Sequence, residues 1–124
     1  MAAPRDLPTV FLRLEGAVLL GLAVFLYTRG AQGWLLFVLL ILVPDISILV
    51  YAAGPRVGAV AYNLFHTYLG PAALAVIGIL AEAPVPVSVA LVWFAHIGMD
   101  RALGFGLKHT SGFQDTHLGR IGRG

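Results

Sequence analysis

The sequence predicts an all-α membrane protein, a four-helix transmembrane bundle that runs up-down-up-down through the bilayer. Three observations predict it. Of 124 residues, 59% are hydrophobic and 11% are charged, whereas an ordinary soluble domain carries about 25% charged residues. Four apolar stretches approach the length that a helix rising about 1.5 Å per residue needs to cross a hydrocarbon layer of roughly 30 Å. Turn-forming residues separate those stretches.

The first span runs over residues 10–27, the second over 34–53, the third over 57–80 and the fourth over 85–105. The breaks carry Arg29-Gly30 with Gly33, then Gly54-Pro55-Arg56, then the stretch from Glu82 to Pro86. Connections this short make consecutive helices antiparallel neighbours. Residues 1–124 therefore read as one integral membrane domain, with a polar, glycine-rich tail over 106–124. That tail is too polar to span; docking on the mouth of the bundle and a frayed end both fit it. The first span is read as retained, because Glu15 interrupts its apolar core and Tyr27-Thr28-Arg29-Gly30 is a poor cleavage site.

Basic residues set the orientation. Arg5, Arg13, Arg56, Arg101, Lys108, Arg120 and Arg123 fall on one side and Arg29 alone on the other. The positive-inside rule puts the richer side, and with it both termini, in the cytoplasm. Tyr27 and Trp34 are expected as aromatic anchors at the opposite interface. The lack of cysteine excludes disulfides, thiolate catalysis and sulfur-ligated metals. A net charge of +2 without a dense basic stripe argues against nucleic acid as a partner.

Ionisable groups at membrane depth cost about 2.5–3.5 kcal/mol each on insertion scales, so each calls for a reason. Glu15 lies in the first span, Asp45 in the second, His66 in the third, and His96 with Asp100 in the fourth. Counted along their helices, all sit roughly 7–14 Å from the cytoplasmic end. His96 and Asp100 are one turn apart on one helix face, as are Tyr62 and His66. An Asp one turn from a His can fix its tautomer and raise its basicity. Pro44, beside Asp45, can kink its span and free a backbone carbonyl. Five such groups at one level point to a polar cavity, which Asn63, Tyr62, Arg101, Lys108 and His117 would extend. The alternative is interhelical glue, at about 0.6 kcal/mol per hydrogen bond. For the segment from Gly104 to Lys108, a helix ending on glycine with cations near its C-terminus is favoured over a phosphate site.

Several of these motifs look familiar together. Leu14-Glu15-Gly16-Ala17, Pro44-Asp45-Ile46-Ser47, Gly58-Ala59 with Tyr62-Asn63 and His66-Thr67-Tyr68, the run from Ala95 to Arg101, the run from Leu103 to Lys108, and Thr116-His117-Leu118-Gly119 resemble a bacterial family of small four-span membrane proteins known as a domain of unknown function, DUF4260. The resemblance covers nearly the whole chain. It implies a bacterial inner-membrane location and several helices, and it supplies no reaction.

The leading functional expectation is a membrane-embedded site open to the cytoplasm and acting on an amphiphilic or lipid substrate. Asp45, His66 and His96 are its expected metal ligands or acid–base groups, with Asp100 orienting His96. Two histidines and carboxylates suit a divalent metal such as zinc, iron or manganese. Proton or ion translocation is a second reading. A non-enzymatic accessory subunit of a larger membrane complex is a third, and a homo-oligomer stays open. The topology has a direct check. Reporters fused at either terminus are expected to report cytoplasm, and one inserted at Gly33 the opposite side; a terminus on the far side would overturn the charge argument.

Overall fold

The structure is a computed structural model that describes residues 7–109 and 114–121. Arg5 and Arg123, part of the charge asymmetry, lie outside the described residues, as do the side chains of Asp115 and Arg120. The described chain is helical apart from its tail. Helix α1 covers Leu7–Thr28 and α2 covers Trp34–Leu40; a 3-10 helix follows over Val43–Ala53. Then come α3 (Pro55–His66), α4 (Leu69–Leu80) and α5 (Pro84–Leu103). In the tail, β1 (Asp115–Thr116) and β2 (Gly119–Arg120) form a minimal antiparallel pair.

Two helical segments, Leu7–Thr28 and Trp34–Ala53, are long and apolar enough to cross a membrane. The pair Pro55–His66 and Leu69–Leu80, bent by 40°, makes a third if counted as one span. Large apolar side chains such as Val18, Phe25, Leu35, Leu49, Leu69 and Leu80 point outward. In water such a surface would drive aggregation, whereas lipid tails accept it. Helix α5 has 20 residues, and His96, Asp100 and Arg101 make it more polar than the others; all three are buried.

Helix α5 is the centre of the molecule. It packs chiefly along α1, then along α4, and lightly against α2, while α3 packs on the 3-10 helix. The α1–α5 crossing brings backbone against backbone. A Cβ on Gly98 would lie 2.7 Å from the Gly16 carbonyl oxygen and 2.8 Å from the Leu20 nitrogen. Small residues permit such approaches, which matter in lipid because packing replaces the hydrophobic effect as the force between helices.

Two of the expected spans are not regular helices. The second changes from α to 3-10 at Pro44, which cannot donate to the carbonyl one turn back; the Asp45 N–H bonds Leu42 O instead (3.1 Å). The third, expected as one helix, breaks at Thr67, whose backbone is extended. Pro71 lies in the first turn of α4, where its missing N–H leaves no helical bond unmade, and it could not continue α3. Tyr27 also departs from expectation. It packs inside the protein, and its hydroxyl donates to the Gly33 carbonyl (2.6 Å), closing the turn into α2.

At its far end α5 stops on Gly104, with φ at +93°. The Phe105 N–H bonds Asp100 O (2.7 Å) and the Gly104 N–H bonds Arg101 O (3.0 Å), the two bonds of a Schellman cap. This is the glycine-terminated helix favoured from the sequence. Overpacking a tight contact costs about 1–3 kcal/mol, so Gly98→Val is expected to destabilise the detergent-solubilised protein by about that much in a thermal melt. A melt unchanged by this substitution would contradict the backbone contact with α1.

Candidate metal centre

The breaks in the second and third spans leave backbone carbonyls that a continuous helix would satisfy, in a setting where an unmet carbonyl costs several kcal/mol. Side chains of α5 answer them. The Trp93 indole N–H donates to Phe65 O (2.7 Å), and Arg101 Nη2 donates to His66 O (3.0 Å). His96 Nδ1 bonds Ile41 O, the carbonyl abandoned when Asp45 turned to Leu42. Within α3, His66 Nδ1 bonds Tyr62 O (2.8 Å).

These last two contacts fix the chemistry of the rings. A carbonyl oxygen only accepts, so each Nδ1 carries a proton, and a ring that holds no second proton turns an Nε2 lone pair inward. The two Nε2 atoms are 3.1 Å apart. Asp45 Oδ1 lies 3.0 Å from His66 Nε2 and 3.2 Å from His96 Nε2. Asp100 Oδ2 lies 3.5 Å and 3.2 Å from the same two atoms. All four ligand atoms fall within 4.8 Å of one another.

Four electron-rich atoms packed this way repel one another unless positive charge lies between them. A proton on an Nε2 bridges that ring to a carboxylate, whereas a metal ion would meet all four atoms at once. Tetrahedral zinc with bonds of about 2.0–2.1 Å sets its ligands about 3.3 Å apart. The five separations above, from 3.0 to 3.5 Å, bracket that value. The donor set fits a divalent cation in chemistry and along these five edges, with the two carboxylate oxygens within 4.8 Å of each other.

The cluster is unevenly covered. His96 is 0% exposed, and the Asp45 side chain is 36% exposed. Asp45 is therefore the side from which the cluster can be reached. The His66 ring is stacked on Tyr62, with centroids 3.7 Å apart and planes 5° from parallel. Lys108 Nζ lies over the other ring of this stack, 4.6 Å from the Tyr62 centroid.

Lys108 arrives there because the tail docks. The Asn63 amide donates to Lys108 O (2.9 Å) and its carbonyl accepts the Lys108 N–H (2.6 Å), which mimics a strand edge. Lys108 also bridges to Thr116, and Leu118 is buried. His117 Nδ1 accepts the Leu107 N–H (2.7 Å), and its own N–H bonds Leu107 O (3.0 Å). Asn63 thus holds the tail on α3 through Lys108, and His117 ties the two parts of the tail together at Leu107.

The structure brings Asp45, His66, His96 and Asp100 together and leaves others apart. Glu15 is exposed on α1, beside Tyr68 and away from the cluster. Arg101 faces the His66 carbonyl and the Tyr68 ring, 5.1 Å from its centroid. Asp100, expected to orient His96, lies within 3.2 Å of the ring. It approaches the inward Nε2 of His96, because Ile41 O already occupies Nδ1. The carbonyls of Ile41 and Tyr62, which orient the rings, were not foreseen; Pro44 was the available sign of the first.

The family model described as domain of unknown function (DUF4260) matches residues 9–121, and the chain belongs to that family. No curated protein and no solved structure matches the chain.

Lys108 supplies a pH-dependent test of the docked tail. It is 4% exposed, and burial lowers its pKa from 10.5 to about 8 against the attraction of Asp100 and Asp45. Between these values the unfolded chain binds a proton that the docked lysine does not, so docking gains stability as pH rises through the window and is unchanged below it. The thermal midpoint of the native protein, relative to Lys108→Met, is expected to rise between about pH 8 and 10.5. A difference that stays flat would mean Lys108 is not buried as described.

Proposed function

We propose that this protein is a multi-pass membrane enzyme that holds one divalent metal ion between Asp45, His66, His96 and Asp100 and acts on an amphiphilic or lipid substrate from the cytoplasmic side. The observation that carries the reading is the convergence of four lone-pair donors from three helical segments, two of them on rings whose outer nitrogens are committed to backbone carbonyls. Residues 7–28, 34–53, 55–80 and 84–103 would each make one crossing, in the up-down-up-down bundle expected from the sequence. The charged end of α5 and the basic tail would then lie on the cytoplasmic side.

Two imidazoles with two carboxylates suit zinc, iron or manganese. Bound there, such an ion supplies Lewis acidity toward a carbonyl or phosphoryl oxygen, or makes water acidic enough to act as a nucleophile. The chain's own groups do the rest. Ile41 O and Tyr62 O fix the Nδ1–H tautomer and aim both rings, which raises ligand basicity. Arg101 stabilises the end of α3 and with it the position of His66. Asp45, the most exposed of the four, is the ligand that an incoming polar group meets first.

Proton translocation is the reading that a metal-free cluster would favour, because the 3.1 Å contact between the Nε2 atoms can carry a shared proton.

Metal analysis of protein purified without chelator decides between them. About one equivalent of zinc, iron or manganese per chain is expected. His66→Ala and His96→Ala are expected to abolish it while membrane insertion persists. Asp100→Asn is expected to weaken it by roughly 100-fold or more, beyond the 10–100-fold typical of an outer-shell partner. Products formed from a native lipid extract by the metal-loaded protein, and absent with His96→Ala, would establish the enzyme. A metal-free native protein that carries protons in liposomes would replace this reading with the second.

A further inference from the structure

The bend between α3 and α4 and the change of pitch at Pro44 open a groove next to the cluster. Leu40, Pro44, Phe65, Leu74, Val89 and Trp93 line it, with a volume of about 180 Å³. Its position relative to the cluster follows from connectivity. Pro44 is bonded to Asp45 and Phe65 to His66, while Val92, also in the wall, is one turn before His96. From that end the groove runs back along α5 toward Val89 and along α4 toward Leu74, away from Asp100.

The side chains of the lining are apolar except for the indole of Trp93. That indole N–H is already donated to the Phe65 carbonyl at 2.7 Å. A polar guest would leave its own hydrogen bonds unmet there. Val43 and Phe65, at the rim, are exposed on a surface that is otherwise apolar. The volume is below the roughly 300–1,000 Å³ of sites for drug-sized ligands. It suits a stretch of one hydrocarbon chain better than two chains side by side.

We propose that this groove seats the hydrocarbon chain of a single-chain amphiphile, such as a fatty acid or its ester or amide, with the chain's polar end delivered to the Asp45 side of the cluster. The proposal rests on the metal-site reading and narrows its substrate class. Chain binding supplies orientation, which is what remote contacts contribute to catalysis. The reacting group is then the one joined directly to the chain.

The probe is a fatty acid carrying a mid-chain diazirine, photolysed with the full-length protein in nanodiscs and mapped by peptide sequencing, with metal content measured on the same samples. Expected adducts fall on Leu74, Val89 and Phe65 and are competed by unlabelled fatty acid. Leu74→Trp fills the groove and is expected to cut this labelling by about tenfold or more while metal is retained, since a change of one methylene in an apolar pocket is already worth about 10–200-fold. Val89→Phe is a smaller intrusion with the same expected direction, and replaces Leu74→Trp if that variant loses its metal. Labelling spread over the outer face of α1 at Val18 and Leu22, or labelling indifferent to competitor and to both substitutions, overturns the groove even if metal is bound. Saturable groove labelling on a native protein that binds no metal keeps the chain seat and overturns the metal-site reading instead.

Discussion

Unmet backbone carbonyls in a low-dielectric layer are the constraint on which the rest of this structure depends. A straight helix satisfies every carbonyl within itself, and a membrane enforces that economy. Here the second span changes pitch at Pro44 and the third breaks at Thr67. The carbonyls released at these breaks are taken up by Trp93, His96 and Arg101, all on α5. The polar residues of α5 are therefore not incidental to its burial. They allow two broken spans to pack against it, and in return the breaks set the orientation of its side chains. The His96 ring is aimed by Ile41 O, and the His66 ring is held from one side by Tyr62 O and from the other by stacking.

A site assembled from breaks needs a rigid frame, and α1 provides one side of it. Gly16 and Gly98 let the two longest helices meet backbone to backbone, so α5 has little freedom to shift its depth. The Schellman cap at Gly104 closes α5 one turn after Asp100 and turns the chain back. Asn63 then receives Lys108 in strand-like fashion. The ammonium of Lys108, the ring of Tyr62 and the ring of His66 form one column. Movement of the tail is thereby coupled to the position of a cluster residue, with the interaction worth up to about 2 kcal/mol when such a cation is desolvated.

How much of this could be read in the sequence depends on whether the signal was local. Apolar run length fixed the helical segments to within a few residues, because hydrocarbon thickness permits little variation. The i, i+4 spacing of His96 and Asp100 put them on one face, and Pro44 announced a disturbed second span. The break at Thr67 had a local sign in Gly70-Pro71 that the apolar pattern concealed, since both halves of the span remain hydrophobic. Glu15 misled for a different reason. Depth along a helix is legible from the sequence, whereas azimuth depends on which face packs, and Gly16 rather than Glu15 faces α5. The ring-orienting carbonyls were illegible in principle, because backbone groups become available only once a helix is known to break.

The competing account, in which these side chains simply glue helices together, can be weighed on the geometry. Glue pairs a donor with an acceptor, and Asn63 with the Lys108 backbone or Arg101 with His66 O are examples of it. The cluster does the reverse. The two Nδ1–H groups are spent on carbonyls outside it, and with both rings neutral what turns inward is four acceptors. At an average of about 0.6 kcal/mol per interhelical hydrogen bond, gluing cannot offset two carboxylates at about 2.5–3.5 kcal/mol each. A metal ion can, because it neutralises both carboxylates and joins three segments through one centre. Asp45 and Asp100, which glue would make the costliest residues in the protein, then become the ones that give the centre its affinity for a cation.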